Sequence, residues 1–94
     1  MSREQKRVKA IIDGVVQGVG FRWHARQTAR RLRLSGYVRN RYDGTVEVVA
    51  EGSEYDLRQL VSYLHSGPSS AVVEGVRVEW LPASGEFNAF EVRF

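Results

Sequence analysis

Residues 8–32 read VKAIIDGVVQGVGFRWHARQTARRL, and the change of pattern within this stretch decides the fold. Every second residue of the segment 8–12 is apolar, namely Val8, Ala10 and Ile12, and this spacing is typical of a strand. Three glycines among the seven residues 14–20 then interrupt the alternation. The next apolar positions follow the spacing of one helix face, and they are Phe21, Ala25, Ala29 and Leu32. The stretch therefore predicts a strand, a glycine loop and a helix in direct succession.

The rest of the chain continues the alternation of strand and helix patterns. Asp43-Gly44 is a strong hairpin turn, and Ser53 to Asp56 resembles a capping box at the start of a second helix, which Gly67-Pro68 ends. The strands predicted after the first helix span residues 37–41, 45–51, 76–81 and 90–94. This β-α-β-β-α-β order with an extra C-terminal strand predicts a ferredoxin-like α+β fold, a two-layer sandwich with a core that includes Leu57, Trp80 and Phe90.

The length and composition favour one small domain that spans residues 1–94, in which we expect residues 1–6 to be disordered. The absence of cysteine excludes disulfides, zinc–thiolate sites and cysteine catalysis, and two histidines argue against a dedicated metal site. The longest aliphatic run, Ala71-Val72-Val73, is far too short to span a membrane, and no apolar segment follows the charged N-terminus as in a signal peptide. We expect a cytoplasmic monomer with no membrane partner.

The charged side chains are distributed unevenly along the chain. Residues 1–41 contain eleven cationic and two anionic side chains, whereas residues 42–94 contain three and nine. A basic half favours an anionic partner such as a phosphate compound or a nucleic acid. Alternatively, the two halves interleave in one fold and their charges largely cancel in space.

The glycine loop is a candidate anion site. Gly18 and Gly20 allow backbone amides to point inward without a Cβ in the way, at the point where a helix N-terminus begins. Arg22 lies in the first helical turn, where a cation opposes the helix dipole unless an anion lies between the loop and the guanidinium. The alternative is a tight turn followed by one solvated arginine, and the spacing alone favours that interpretation.

Asn40, at the end of the second predicted strand, is another candidate. The two strands of a βαβ unit run parallel and end at the same edge of the sheet. If the third strand lies between them, their ends are about 10 Å apart, within joint reach of an arginine and an asparagine side chain. The Asn40 amide can both donate and accept hydrogen bonds and so can hold a water; alternatively, Asn40 is a turn former before Arg41.

These segments together resemble the acylphosphatase family. The resemblance is carried by Gly14-Val-Val-Gln-Gly-Val-Gly-Phe-Arg22, by Gly36-Tyr-Val-Arg-Asn40 and by Asp43-Gly44-Thr-Val-Glu47, and it extends over nearly the whole chain. It implies a hydrolase that cleaves a small acyl phosphate to a carboxylate and inorganic phosphate without a metal or cofactor. It also implies that Arg22 is the phosphate-binding catalytic arginine and that Asn40 positions the water. The backbone amides that would hold the phosphate are those of Gln17, Gly18, Val19, Gly20 and Phe21.

Two positions depart from the family pattern. Arg33 stands near the end of the first helix, where the family often has glycine. If the backbone is left-handed there, arginine costs about 1 kcal/mol relative to glycine. Trp23-His24 is an unusual pair after Arg22, and we expect His24 to be a partly exposed structural residue rather than part of the mouth of the site.

Two other functions share parts of this pattern. The RNA-recognition motif has the same β-α-β-β-α-β order, and the chain carries a formal net charge of +3. However, the outward positions of the first and third strands offer no aromatic ring and three acids, so we expect no specific nucleic-acid partner. A resembling domain also occurs as an accessory part of large carbamoyl-transfer proteins of hydrogenase maturation; we expect a stand-alone enzyme here.

Overall fold

The structure, a computed structural model, describes residues 4–94. The strands are β1 (Lys6–Val15), β2 (Ser35–Asn40), β3 (Val46–Gly52), β4 (Val72–Pro82) and β5 (Phe90–Arg93), and the helices are α1 (Phe21–Arg31) and α2 (Glu54–Ser66). Within the described residues, neither helix is long and apolar enough to cross a membrane. Of the residues 1–6 that were expected to be disordered, residues 1–3 lie outside the described residues. Lys6, the last of this segment, begins β1 and pairs with Gly52 and Pro82.

The five strands form one sheet in the order β4-β1-β3-β2-β5. Neighbouring strands are antiparallel except for β2 and β5, which are parallel. Because β1 and β2 both run antiparallel to the intervening β3, they run parallel to each other and end at the same edge of the sheet. The two helices pack against one face of this sheet. The ferredoxin-like α+β arrangement is thus confirmed, and β5 is its extra C-terminal strand.

The core lies between the sheet and the two helices. Fully buried side chains of both layers form it, among them Val8, Ile12, Phe21, Val46, Leu57, Leu60, Leu64 and Phe90. Leu57 and Phe90 therefore lie where the sequence predicted, but the prediction for Trp80 is wrong, because its side chain is 39% exposed. Trp80 belongs to the edge strand β4, where the Arg58 guanidinium of α2 lies 5.3 Å from the centroid of its ring.

Strand β4 is longer than the alternating pattern indicated. Alternation predicted residues 76–81, whereas the strand spans Val72–Pro82. The pairing between β1 and β4 shifts between Asp13 and Gly14, so that β4 contains one extra residue, Glu74. A β-bulge of this kind breaks the two-residue period of a strand. The first part of β4 therefore does not show the alternation by which strands are predicted.

The face of the sheet opposite the helices is called the open face. The connection between β4 and β5 folds over this open face and is held there by Glu51. The buried Glu51 carboxylate accepts hydrogen bonds from the backbone amides of Ser84 (2.8 Å) and Gly85 (3.0 Å) and from Arg7 Nε (2.7 Å). Burial by itself raises the pKa of the Glu51 carboxyl, but these donors outweigh burial and hold the pKa below its ordinary value. An anionic carboxylate thus anchors the connection to β3.

The open face also carries a second buried acid, Glu47. Its carboxylate accepts a hydrogen bond from the Tyr37 hydroxyl at 2.9 Å and forms an ion pair with Arg39 at 2.6 Å. The Phe87 ring from the β4–β5 connection packs edge-on against Tyr37, with ring centroids 6.0 Å apart. Acids and a covering loop therefore occupy the face on which an RNA-recognition motif stacks bases.

Both helices have well-defined ends. Ser53 Oγ accepts a hydrogen bond from the Asp56 amide at 3.2 Å, so the predicted capping residue does begin α2. At the end of α1, Arg33 has a φ of 60°, and the amides of Arg33 and Leu34 donate to carbonyls of the last helical turn. This is the hydrogen-bond pattern of a Schellman motif. The condition stated for Arg33 in the sequence analysis therefore holds, because its backbone is left-handed.

We predict that Arg33→Gly stabilises the protein by about 1 kcal/mol, because glycine adopts the left-handed backbone without a Cβ penalty and keeps both hydrogen bonds of the motif. Urea unfolding at equilibrium measures the change. Gln27→Gly, at an exposed position in the middle of α1, is the control and should lower the free energy of unfolding by about 1 kcal/mol. Destabilisation by both substitutions would show that the Arg33 side chain contributes more than its backbone strain costs.

Candidate active site

The loop between β1 and α1 turns through two left-handed glycines. Gly18 and Gly20 have φ values of 75° and 80°. Gly20 is the N-cap of α1, and no side chain caps this end of the helix. The first helical hydrogen bond runs from the His24 amide to the Gly20 carbonyl, which leaves the amides of the first turn without helical acceptors. Because the first turn also contains no acidic residue, this end of α1 is suited to an anion.

Two side chains outside the helix hold this loop in place. The Gln17 side-chain amide donates two hydrogen bonds, to the carbonyls of Arg41 (2.6 Å) and Thr45 (2.9 Å), at the two sides of the β2–β3 turn. Ser70 Oγ donates to the Val19 carbonyl at 2.6 Å. The glycine loop is therefore tied directly to the turn that follows β2.

A cavity of about 500 Å³ lies beside the loop, the face of α1 and the end of β2. Arg22, which is half-buried, and Asn40, the last residue of β2, both line it. The structure thus brings the two candidate side chains to one cavity. Of the five residues with predicted phosphate-binding amides, three line the cavity and two do not; the three are Gly18, Gly20 and Phe21, and the two are Gln17 and Val19.

The Asn40 side chain contains an unused hydrogen-bond acceptor. Its Oδ1 atom is buried and has no hydrogen-bond partner, and within residues 4–94 it is the one buried side-chain polar atom in this condition. A buried acceptor without a donor costs about 1–3 kcal/mol. Asn40 therefore has an unsatisfied acceptor and is also a lining residue of the cavity.

An exposed aromatic ring lies beside the Arg22 guanidinium. The guanidinium carbon lies 4.8 Å from the centroid of the Phe94 ring, and Phe94 also lines the cavity. Contact with the face of a ring leaves the N–H donors at the edge of the guanidinium available to an anion. His24 is exposed, is not among the lining residues and packs edge-on against Trp23 with ring centroids 5.0 Å apart, which fits the expected structural role.

The side chains that line the cavity make it cationic. Arg22, Arg26 and Arg30 are present, and Glu91 is the one carboxylate among the described lining residues. Residues 4–94 contain no group of three or more His, Cys, Asp or Glu side chains placed to hold a metal ion. The charge of the cavity is therefore suited to an anionic ligand.

The sequence analysis missed three contributors to this site. Arg26 follows Arg22 by one helical turn, so its helical spacing was the signal available for it. The side chain of Gln17 and the ring of Phe94 gave no local signal, because each contacts residues that are distant in the sequence.

Known proteins are similar to this chain in sequence and in fold. The sequence profile of the acylphosphatase family matches residues 8–92. The chain belongs to the acylphosphatase family. It is 51% identical over 92 residues to an acylphosphatase of Rubrobacter xylanophilus, a match that covers 98% of this chain and 84% of that protein.

Solved structures with the acylphosphatase fold include proteins of very different length. The acylphosphatase from Bacillus subtilis superposes with a TM-score of 0.91 at 34% identity and covers 95% of this chain and 99% of that one. HypF from T. kodakarensis superposes with a TM-score of 0.82 at 30% identity, over 95% of this chain but 12% of its own. The acylphosphatase fold thus occurs both alone and within a longer protein.

We predict that Gln17→Met lowers the free energy of unfolding of this acylphosphatase family member by about 1–2 kcal/mol, because it removes both side-chain hydrogen bonds to the β2–β3 turn at similar volume. It should also weaken the binding of inorganic phosphate, since the loop loses its attachment. Urea unfolding and isothermal titration measure the two effects. Gln27→Met, at an exposed position of α1, is the matched control and should change neither quantity. Unaltered stability and affinity in Gln17→Met would contradict the prediction.

Proposed function

We propose that this protein hydrolyses an acyl phosphate to a carboxylate and inorganic phosphate, without a metal ion or cofactor. One observation carries the proposal: the uncapped N-terminus of α1, Arg22 and Asn40, whose Oδ1 has no partner, lie at a single cavity. These groups supply hydrogen-bond donors, a cation and a hydrogen-bond acceptor. A phosphoryl group that is attacked by water needs all three.

In this proposal, the amides of residues 17–21 and the Arg22 guanidinium hold the phosphoryl group. Amides beside left-handed glycines form a concave set of donors, and the helix dipole adds a partial positive charge. Arginine supplies a planar pair of donors that matches two phosphate oxygens. Because these donors are fixed before the reaction, they stabilise the charge on the phosphoryl oxygens in the transition state.

Asn40 orients the attacking water in the same proposal. Its Oδ1 accepts a hydrogen bond from the water, which directs a lone pair of the water oxygen toward phosphorus. The water oxygen forms the new bond to phosphorus while the bond from phosphorus to the bridging acyl oxygen breaks. That bridging oxygen leaves with the electron pair as part of a carboxylate, and a non-bridging phosphoryl oxygen receives the proton of the water.

The chemistry of the substrate supports a site with so few residues. The departing carboxylate is the conjugate base of an acid with a pKa of about 4–5, close to that of Asp or Glu, so it leaves without a general acid. Positioning and electrostatic stabilisation then supply the catalysis. We also propose that the protein acts on a small molecule as a monomer in the cytoplasm.

Arg22→Ala should lower kcat/KM for benzoyl phosphate by about 10³-fold or more, because the phosphoryl group loses its cation in both the ground state and the transition state. Arg22→Lys should recover little of this loss, since an ammonium lacks the planar pair of donors. Turnover is measured in EDTA, with Arg31→Ala as a control that removes the same charge outside the cavity. Near-normal turnover by Arg22→Ala would refute the role of Arg22.

Asn40→Ala should lower kcat about 10²–10³-fold and leave the affinity for inorganic phosphate nearly intact, because the water loses its acceptor while the phosphate keeps its donors. Kinetics with benzoyl phosphate and titration with inorganic phosphate separate the two quantities. Asn88→Ala, in the exposed β4–β5 connection, is the matched control and should behave as wild type. Full turnover by folded Asn40→Ala would show that Asn40 does not position the water.

The wild-type protein itself distinguishes catalysis from an accessory role. Turnover of benzoyl phosphate that persists in EDTA and is lost in both variants would support the proposal. A folded wild type that binds inorganic phosphate but hydrolyses no acyl phosphate would instead indicate a non-catalytic accessory domain.

A further inference from the structure

The half-buried arginines of the described chain divide into two groups. Arg7 and Arg41 each form an ion pair with a neighbouring carboxylate. Arg22 and Arg26 form no ion pair with any residue in 4–94, and both line the cavity of the candidate active site. A guanidinium without an ion pair keeps its hydrogen-bond donors available to an anion. Arg22 and Arg26, which have no ion pair, therefore make the cavity suitable for more than one anionic group.

Arg26 lies one turn of α1 beyond Arg22. At a rise of 1.5 Å per residue, four residues separate the two positions by about 6 Å along the helix. Arg30, one further turn along, donates from Nε to the Phe90 carbonyl at 3.2 Å. Arg22 contacts the Phe94 ring, and the proposed function assigns it to the phosphoryl group. Arg26 is thus the arginine of this cavity for which no partner exists among the described residues.

The surroundings of Arg26 favour an acyl chain with a charged end. Trp23, Val92 and Phe94 line the same cavity and offer apolar surface to a short hydrocarbon spacer. Trp23 and Phe94 are exposed, at 53% and 103%, so solvent partly screens the attraction between the guanidinium and an anion. Glu91, the carboxylate of the lining, is exposed, so solvent screens its repulsion of an anion.

We propose that Arg26 binds a second anionic group at the far end of the acyl chain, so that the preferred substrates are acyl phosphates with an anionic acyl group. This inference rests on the proposed function and specifies the substrate class of the same cavity. A separation of about 6 Å fits a distal carboxylate roughly two methylene groups beyond the acyl carbon. Succinyl phosphate has this length and charge, and butyryl phosphate has the same chain length without the second charge.

Steady-state kinetics with succinyl phosphate and butyryl phosphate test the assignment. The wild type should favour succinyl phosphate in kcat/KM by about 10- to 100-fold, the contribution typical of a charge-assisted hydrogen bond. Arg26→Gln should bring this ratio close to one, mainly through a higher KM for succinyl phosphate. Arg31→Gln removes the same charge from α1 outside the cavity and should keep the wild-type ratio.

Three kinetic results would overturn the inference. They are a wild-type ratio near one, a ratio that Arg26→Gln leaves unchanged, and an equal loss of the ratio in Arg31→Gln, which would assign the preference to the overall charge of the helix. Hydrolysis of benzoyl phosphate but of neither of these compounds also overturns the inference. If folded wild type hydrolyses none of the three compounds, the proposed function fails, and Arg26 is tested by titration with analogues in which a methylene group replaces the bridging oxygen. Tighter binding of the succinyl analogue that Arg26→Gln abolishes supports the inference, and equal binding of the two analogues overturns it.

Discussion

The position of β3 between β1 and β2 is the constraint on which the rest of the structure depends. Both neighbours pair with β3 in the antiparallel sense, so their carboxyl ends meet at one edge of the sheet. The end of β1 carries the glycine loop and Arg22, and the end of β2 carries Asn40. The two hydrogen bonds of the Gln17 side chain then fix how far apart these ends lie. Backbone pairing thus brings two side chains from separate elements to one cavity.

The roles of Arg22 and Asn40 were predicted from the resemblance to the acylphosphatase family, since the spacing alone favoured a solvated arginine. The fold could be predicted because its elements have local causes in the sequence. Glycine spacing and the change of period identify the loop, and chain order fixes which strand ends meet. The prediction for Trp80 was wrong because alternation gives the face of a strand but not its distance from the edge of the sheet. The contacts of Gln17 and Phe94 join distant segments, which no local pattern records. The catalytic roles stay predictions for the kinetic assays.

The uneven charge along the chain cancels over much of the molecule but not at the cavity. Arg7 and Arg39, from the basic half, pair with Glu51 and Glu47 from the acidic half across the open face of the sheet. Cancellation, one of the two interpretations of the charge pattern, therefore applies to that face. On α1 the arginines that line the cavity remain without carboxylates among the described residues, which leaves a positive potential beside the glycine loop.

The position of β1 between β3 and β4 also bears on how the protein folds. Val8 in β1 pairs with Trp80 in β4, so one of the two neighbours of this strand comes from near the other end of the chain. Chains with such distant pairings fold slowly for their size, because closing a long loop costs entropy before any contact repays it. The glycine loop follows a strand that has both of its neighbours only when β3 and β4 flank it. The surroundings of the loop therefore depend on contacts between segments that are far apart in the sequence.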